Sequence, residues 1–141
     1  MEIKLEFNDS QVQELFNRLQ RKAEDTTPLM QTIAYLAESK ARESFIEERA
    51  PDGTAWKPSQ RVLEKGGKTL TLYGHLSDSI SSSYGKDYAQ WGANRSYAAL
   101  HQFGGVTGNG ARVPQRKFLP DSLEELGGED LVKLIEGYLI D

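Results

Sequence analysis

Two apolar patches separated by a glycine-rich gap constrain this chain more than any other feature. The first patch runs from Ser96 to Gly105, and the second runs from Val113 to Leu119. Glycine frees the backbone to turn sharply after the first patch, and the proline that opens the second favours extended chain. The pattern predicts that both patches fold into the core of the domain, with Gly104 permitting a sharp exit. The side chains expected to pack there are Tyr97, Leu100, Phe103, Phe118 and Leu119.

The N-terminal third is patterned as a strand followed by two helices. Apolar and charged residues alternate from Ile3 to Phe7, which is the period of a half-buried strand. Capping-box spacing and an apolar stripe predict a first helix from Ser10 to Glu24. Thr27 as the cap and Pro28 in the first turn predict a second helix, which ends before Pro51. Its buried face is predicted to be Met30, Ile33, Ala34, Ala37, Ala41, Ser44 and Phe45.

The remainder of the chain is patterned as short elements between loops. Two loops are predicted, Ala50–Lys68 and Gly104–Arg112, the second with four glycines. The other elements are helices at Gly74–Ser79, Asn94–Phe103 and Asp130–Ile140, and a hairpin of Ile80–Tyr84 with Tyr88–Trp91. The sum is an α+β fold, in which two N-terminal helices and a C-terminal helix pack on a small, mainly antiparallel sheet. We expect one domain over residues 1–141.

Composition excludes several classes of function. The chain has 141 residues, no cysteine and a formal net charge of −4. The lack of cysteine rules out disulfides, thiolate metal sites and cysteine nucleophiles. A protein that coats nucleic acid needs an excess of lysine and arginine, so the negative charge argues against that role. The sequence holds neither a membrane-spanning apolar run nor a secretory signal, which predicts a protein that stays in the cytoplasm.

Charge is nevertheless uneven, and two interpretations stay open. Basic residues cluster in the two loops at Lys57, Arg61, Lys65 and Lys68, and again at Arg112, Arg116 and Lys117. The C-terminal part is acidic at Asp121, Glu124, Glu125, Glu129 and Asp130. The pattern is compatible with an ordinary solvated surface. It is equally the pattern of a bipolar subunit whose opposite faces meet head to tail.

Tests for catalytic and ligand-binding patterns predict no enzyme, cofactor or metal site. Gly66-Gly67-Lys68-Thr69 ends like a phosphate loop, but Val62 stands where that loop needs its first glycine. The glycines from Gly104 onward could hold an anion, yet a proline follows them instead of a helix, which favours a mobile tip. His75 and His101 have no ligand partners at helical spacing. His101 is expected to be structural, lying between Leu100 and Phe103 with one ring nitrogen hydrogen-bonded.

Three motif segments follow one another in a fixed order. They are Glu48 to Pro58, with Ala50-Pro51-Asp52-Gly53 and Trp56; Leu70 to Ile80, with Gly74-His75-Leu76; and the two patches, with Tyr97-Ala98, His101-Gln102-Phe103-Gly104-Gly105, Pro114, Arg116 and Phe118-Leu119. Together they resemble the phage virion morphogenesis family, which includes the tail completion proteins of Mu-like and related contractile-tailed phages. Tyr73 and Gln115 depart from the family pattern. The resemblance covers roughly residues 40 to 120.

The resemblance implies a structural phage or prophage protein that acts in tail completion and head-tail joining. It implies a homo-oligomeric ring, expected to be hexameric, at the head-proximal end of the tail. The expected partners are other copies and tail or neck proteins, with no membrane, no specific nucleic-acid binding and only passive contact with packaged DNA. Assembly in the host bacterial cytoplasm and then incorporation into the virion are expected. The residues assigned to the family motif and interface are Pro51, Asp52, Gly53, Trp56, Gly74, Leu76, Tyr97, His101, Gln102, Phe103, Gly104, Gly105, Pro114, Arg116, Phe118 and Leu119.

The two loops are the expected assembly surfaces, mobile in the free subunit and ordered on a partner. Trp56 is either the interface anchor of its loop or a lid folded onto its own core. Two rival functions remain. One is a DNA-contacting or phosphate-binding enzyme that uses the basic loops, and the other is a host protein-interaction module.

Overall fold

The computed structural model describes residues 1–4, 14, 17–18, 26–70, 74–86, 88–122 and 124–140. The elements in chain order are β1 (Glu2–Lys4), α1 (Thr27–Glu47), α2 (Gln60–Lys65), α3 (His75–Asp78), β2 (Ile80–Tyr84), β3 (Ala89–Ala93), α4 (Ala98–Phe103), β4 (Gly105–Val106), β5 (Arg112–Val113) and α5 (Glu129–Ile140).

Helix α1 carries the apolar stripe that the sequence predicts. Every residue of the predicted face is buried, together with Leu29. Three alanines in this stripe let the helix approach its neighbours closely, because they present only a methyl group. The cap was predicted one residue too late. Thr26 occupies the cap position, and its hydroxyl donates to the carbonyl of Lys86 rather than capping the helix. The helix ends at Glu47, before Pro51 as predicted.

The sheet beneath α1 has three antiparallel strands in the order β1-β3-β2. Trp91 is its centre, paired with Ile3 on one side and Ser82 on the other. The Ser82 hydroxyl donates to Glu38 of α1 at 2.8 Å, and Tyr84 meets Tyr35 of α1 edge-on. The predicted β2–β3 hairpin is therefore confirmed, with β3 extended to Ala93. The N-terminal strand is confirmed at Glu2–Lys4, whereas Leu5 and Phe7 lie outside the described residues.

The C-terminal third joins the same core. The segment that follows β5, residues 114–120, is here named the return segment. The Trp91 indole donates to the carbonyl of Pro120 at 2.8 Å, which ties the sheet to this segment. Leu131 and Ile135 of α5 are buried in the cluster that contains Trp91 and Phe118. The α+β fold with a small antiparallel sheet is confirmed.

The structure differs from the expected elements in three places. The predicted Ala50–Lys68 loop contains α2, whose first turn is capped by the Ser59 hydroxyl accepting from the Val62 amide at 3.3 Å. The predicted Gly104–Arg112 loop is largely a small hairpin of β4 with β5. Helix α4 begins at Ala98, four residues later than expected. The predicted Ser10–Glu24 helix lies outside the described residues except for Glu14, Asn17 and Arg18, which are helical.

Candidate assembly site

The side chain of Gln102 joins the two apolar patches that dominate the sequence. It lies on α4 and is fully buried. Its Oε1 accepts from the amides of Phe118 at 3.1 Å and Leu119 at 2.9 Å, and its Nε2 donates to the Leu119 carbonyl at 2.8 Å. A primary amide offers both an acceptor and a donor, so it pairs with extended backbone as another strand would. Gln102 thus takes the place of a strand partner for the return segment. This contact between α4 and the return segment is here named the junction.

Backbone contacts continue the same junction. The Arg116 amide donates to the carbonyl of His101 at 2.8 Å, and the Gln115 side chain donates to the carbonyl of Gln102 at 3.0 Å. Gly104 leaves α4 with φ of 71°. A Cβ there would lie 2.9 Å from the backbone nitrogen of Gln115, so no side chain fits. The predicted sharp exit at Gly104 is confirmed, and it is both conformational and steric.

Trp56 lies over this junction from the preceding loop. It is only 6% exposed, and its indole nitrogen donates to the Lys117 carbonyl at 2.8 Å. Its ring packs edge-on against Phe45, whose ring also contacts Phe118 at a centroid distance of 5.3 Å. Of the two alternatives, the structure favours the lid: Trp56 covers its own core and cannot anchor a partner without leaving it.

Arg116 fastens the Trp56 loop from the other side. Its guanidinium is 7% exposed and donates from Nε to the Lys57 carbonyl at 2.7 Å. Burial lowers the pKa of this guanidinium. The turn that leads to Trp56 is held by Asp52, whose Oδ1 accepts from the Thr54 amide at 2.9 Å. Hydrogen bonds from Thr54 lower the pKa of Asp52. The predicted motif segments 48–58 and 113–119 therefore meet in space.

An ion cluster closes the far end of the junction. The Lys117 ammonium binds both Asp121 and Glu125, and Glu125 is buried. Burial opposes the charge on Lys117, but the hydrogen bonds to the two carboxylates outweigh it, and the pKa of Lys117 is raised. Burial raises the pKa of Glu125 against the effect of Lys117. The cluster connects the return segment to the acidic C-terminal region.

The segment that resembles a phosphate loop has a structural role instead. Lys68 donates from Nζ to the carbonyl of Ile46 at 2.5 Å, and Thr69 is buried. The Thr69 hydroxyl accepts from the Ser59 amide at 3.2 Å, and its own amide donates to Glu48. The segment follows helix α2, whereas a phosphate loop follows a buried strand. It closes the Trp56 loop onto the end of α1.

Neither a metal site nor a membrane span is present in the part of the chain that the structure describes. No three histidine or carboxylate residues there lie together as metal ligands would. No helix there has the length and apolar character to cross a bilayer. The site is a junction of packed and hydrogen-bonded chain segments.

The family model that matches residues 7–139 is the one described as the phage virion morphogenesis family. The chain belongs to the phage virion morphogenesis family. This membership confirms the resemblance carried by the motif segments.

Named relatives of this virion morphogenesis protein come from phage Mu and Mu-like prophages. Mu-like prophage FluMu G protein 2 of Haemophilus influenzae is 38% identical over 122 residues, which cover 83% of each chain. FluMu G protein 1 of the same organism is 30% identical over 128 residues, covering 84% of each chain. Putative capsid assembly protein G of Escherichia phage Mu is 39% identical over 84 residues, 57% of this chain and 51% of the Mu protein. No solved structure matches the chain.

The structure of the virion morphogenesis protein places most predicted motif residues in or beside the junction. Phe118 and Leu119 are fully buried, as predicted. Leu76 is buried in α3, which Gly74 precedes. Pro114 and Gly105 lie at the base of the β4–β5 hairpin. Their role at an interface stays a prediction.

The prediction that Tyr97 and Phe103 pack in the core is wrong. Tyr97 is 39% exposed and Phe103 is 57% exposed. The buried residues of α4 are instead Ala98 and Gln102, which lie four positions apart and so share one helical face. The inward face of α4 thus carries the small Ala98 and the hydrogen-bonded Gln102, and the aromatic face points outward.

The expectation that His101 is structural, with one ring nitrogen hydrogen-bonded, stays a prediction. Its Nδ1 is buried with no hydrogen-bond partner among the described residues, and its ring meets Tyr97 edge-on. Neither the role of Gln102 nor the Lys117–Glu125 pair was predicted from the sequence. A polar residue inside an apolar run was the available signal for Gln102. No sequence spacing indicated the ion pair, because a loop and not a helix sets its geometry.

The buried imidazole predicts a pH dependence of stability. Burial, with a smaller contribution from the charge of Arg116, lowers the pKa of His101 below its ordinary 6.5. As the pH falls, His101 therefore binds a proton more readily in the unfolded chain than in the folded chain. The stability of the fold should decrease as the pH drops below about 6.5. Thermal melting between pH 7.5 and about 5 should show a shallower decline for His101→Phe than for the wild type. His75→Phe is the matched control for losing a histidine elsewhere, and equal declines in wild type and His101→Phe would contradict the assignment.

Proposed function

We propose that this protein acts in phage tail completion and in joining the tail to the head. It would do so as the subunit of a sixfold ring at the head-proximal end of the tail, in contact with other copies and with tail or neck proteins. The observation that carries the proposal is membership in the phage virion morphogenesis family over residues 7–139. We further propose that the ring assembles in the bacterial cytoplasm and remains in the virion.

The structure supports a role in assembly more than one in catalysis. Its motif residues hold chain segments together rather than converging on an open cleft, as the bonds of Gln102 and Arg116 illustrate. Several basic side chains that the DNA-contacting alternative would need are already occupied by carbonyls or carboxylates, namely Arg116, Lys117 and Lys68. What the fold leaves open is an apolar outer surface, which is suited to a protein partner.

The Mu relative is named a putative capsid assembly protein, which points to the head side of the particle. A head-tail junction is where a head function and a tail function meet, so this name is compatible with the proposal. It also defines the rival that an experiment must separate, namely a role in building the capsid itself.

Deletion of the gene from its phage or prophage, followed by induction and electron microscopy, tests the proposal. We expect filled heads together with separate or abnormally ended tails, and restoration of joined particles by a plasmid copy of the gene. Immunogold labelling of restored particles should mark the head-tail junction. Malformed or absent heads with normal tails would instead establish the capsid role and overturn the proposal.

A further inference from the structure

The outward face of α4 and the adjacent hairpin form an exposed apolar surface, here named the outer corner. It consists of Tyr97, the half-buried Leu100, Phe103, Val106 and Arg112. The first three recur at intervals of three residues along one face of α4. Phe103 is 57% exposed and Val106 is 64% exposed. Val106 pairs with Arg112 across the hairpin, which sets an apolar and a cationic side chain together on one face.

The hairpin at this corner is short and has no strand partner outside itself among the described residues. Its strands β4 and β5 have two residues each and form a sheet separate from the three-stranded one. A two-stranded hairpin of this size is marginally stable in water. Covering its apolar side chains with a partner would therefore stabilise it.

Charge indicates which partner fits. Residues 88–120 contain no aspartate or glutamate but contain Arg95, Arg112, Arg116 and Lys117. Arg116 is buried against the Lys57 carbonyl and Lys117 is neutralised by carboxylates, so Arg95 and Arg112 are the exposed cations of this range. Residues 121–141 contain seven acidic residues against the single cation Lys133. The acidic side chains Glu129, Asp130 and Glu136 are exposed on α5. Each copy thus presents a basic, apolar corner and an acidic helix face, which are complementary between two copies.

We propose that the outer corner of one copy binds the acidic face of α5 on a second copy. The two contacting surfaces are different, so the association is head to tail and each copy keeps one free surface of each kind. Such an interface forms a ring when its rotation closes. The inference rests on the proposed function and identifies the surface by which copies of the subunit join. Nucleic acid is the poorer occupant, because three exposed apolar side chains gain nothing from phosphate.

Complementary blocked variants of the full chain test the head-to-tail contact. Phe103→Asp with Val106→Asp blocks the corner, and Glu129→Lys with Glu136→Lys blocks the acidic face. In sedimentation velocity at low salt, we expect the wild type to form oligomers that raised salt dissociates. Each blocked variant alone should stay monomeric, with at least a tenfold weaker self-association. An equimolar mixture of the two should form dimers and stop there, because each retains one working surface.

Leu63→Asp is the matched control, since Leu63 is 69% exposed outside the corner, and it should oligomerise like the wild type. Circular dichroism and thermal melting of every variant establish that it is folded; if the corner variant is unfolded, Arg112→Glu replaces it. Several results would overturn the proposal. They are a wild type that is monomeric at all concentrations, a blocked α5 variant that still self-associates, or a DNA fragment that binds the wild type and not Arg112→Glu. None of these outcomes depends on the deletion experiment, so unjoined heads and tails with a monomeric protein would leave the proposed function standing.

Discussion

Trp56→Ala is expected to lower the free energy of unfolding by about 3–5 kcal/mol, the usual cost of emptying the site of a buried large aromatic side chain. The indole is 6% exposed, packs on Phe45 and donates to the Lys117 carbonyl, so the change leaves a cavity and an unpaired carbonyl together. Urea unfolding of the purified protein measures the loss. For a domain of this size the melting temperature should fall by about 10 °C.

Two variants make the Trp56 experiment decisive. Trp56→Phe keeps an aromatic ring against Phe45 but loses the indole hydrogen bond, and we expect about 1–3 kcal/mol of destabilisation. Leu63→Ala, at an exposed side chain of the same loop, should change stability by less than about 0.5 kcal/mol. An interface anchor predicts the reverse of the lid: Trp56→Ala would melt like the wild type while phage particles fail to form.

Gln102→Leu is expected to cost at least about 3 kcal/mol. The change keeps the volume roughly constant but removes the partner of three backbone groups, the amides of Phe118 and Leu119 and the carbonyl of Leu119. Each buried polar group left unpaired costs about 1–3 kcal/mol. Urea unfolding measures the loss, and hydrogen exchange of the Phe118 and Leu119 amides reports whether the return segment detaches.

The control for this prediction is Gln115→Ala. Gln115 is an exposed glutamine of the same junction that makes a single hydrogen bond to the Gln102 carbonyl, and its loss should cost less than about 1 kcal/mol. Gln102→Glu adds a test of the geometry. A buried carboxylate repels the Leu119 carbonyl, so the variant should regain stability as the pH falls and the carboxyl becomes a donor. A Gln102→Leu protein as stable as the Gln115→Ala protein would show that water reaches the junction.

Local sequence pattern was sufficient to predict an element where its apolar residues all lie on one face, because that face must be buried. The stripe from Met30 to Phe45 repeats at helical spacing over about four turns, and only burial on one side explains that regularity. The β2–β3 hairpin follows from two short strands around a glycine turn. Phe118 and Leu119 could be assigned to the core because they are apolar in extended chain after a proline.

Helix α2 and the β4–β5 hairpin were beyond what local pattern could determine. Helix α2 is six residues long. It depends on the Ser59 cap, on the bond from Lys68 to Ile46 of α1 and on the bond between Thr69 and Ser59. Those contacts join residues distant in the sequence, so they exist only after folding. The two-residue strands β4 and β5 are likewise too short to leave a periodicity.

The sequence by itself therefore determined the class of fold, the family and the segments that meet. Only the tertiary structure decided which side chains of those segments face inward. Helix α4 and the residue before it could bury either Tyr97, Leu100 and Phe103 or Ala98 and Gln102, since both sets have helical spacing. The backbone of the return segment selected the second set, because its buried amides and carbonyl needed partners that an aromatic ring cannot provide and Gln102 does. The hydrophobic effect alone favours the aromatic face, and the requirement to satisfy buried backbone groups reversed that preference.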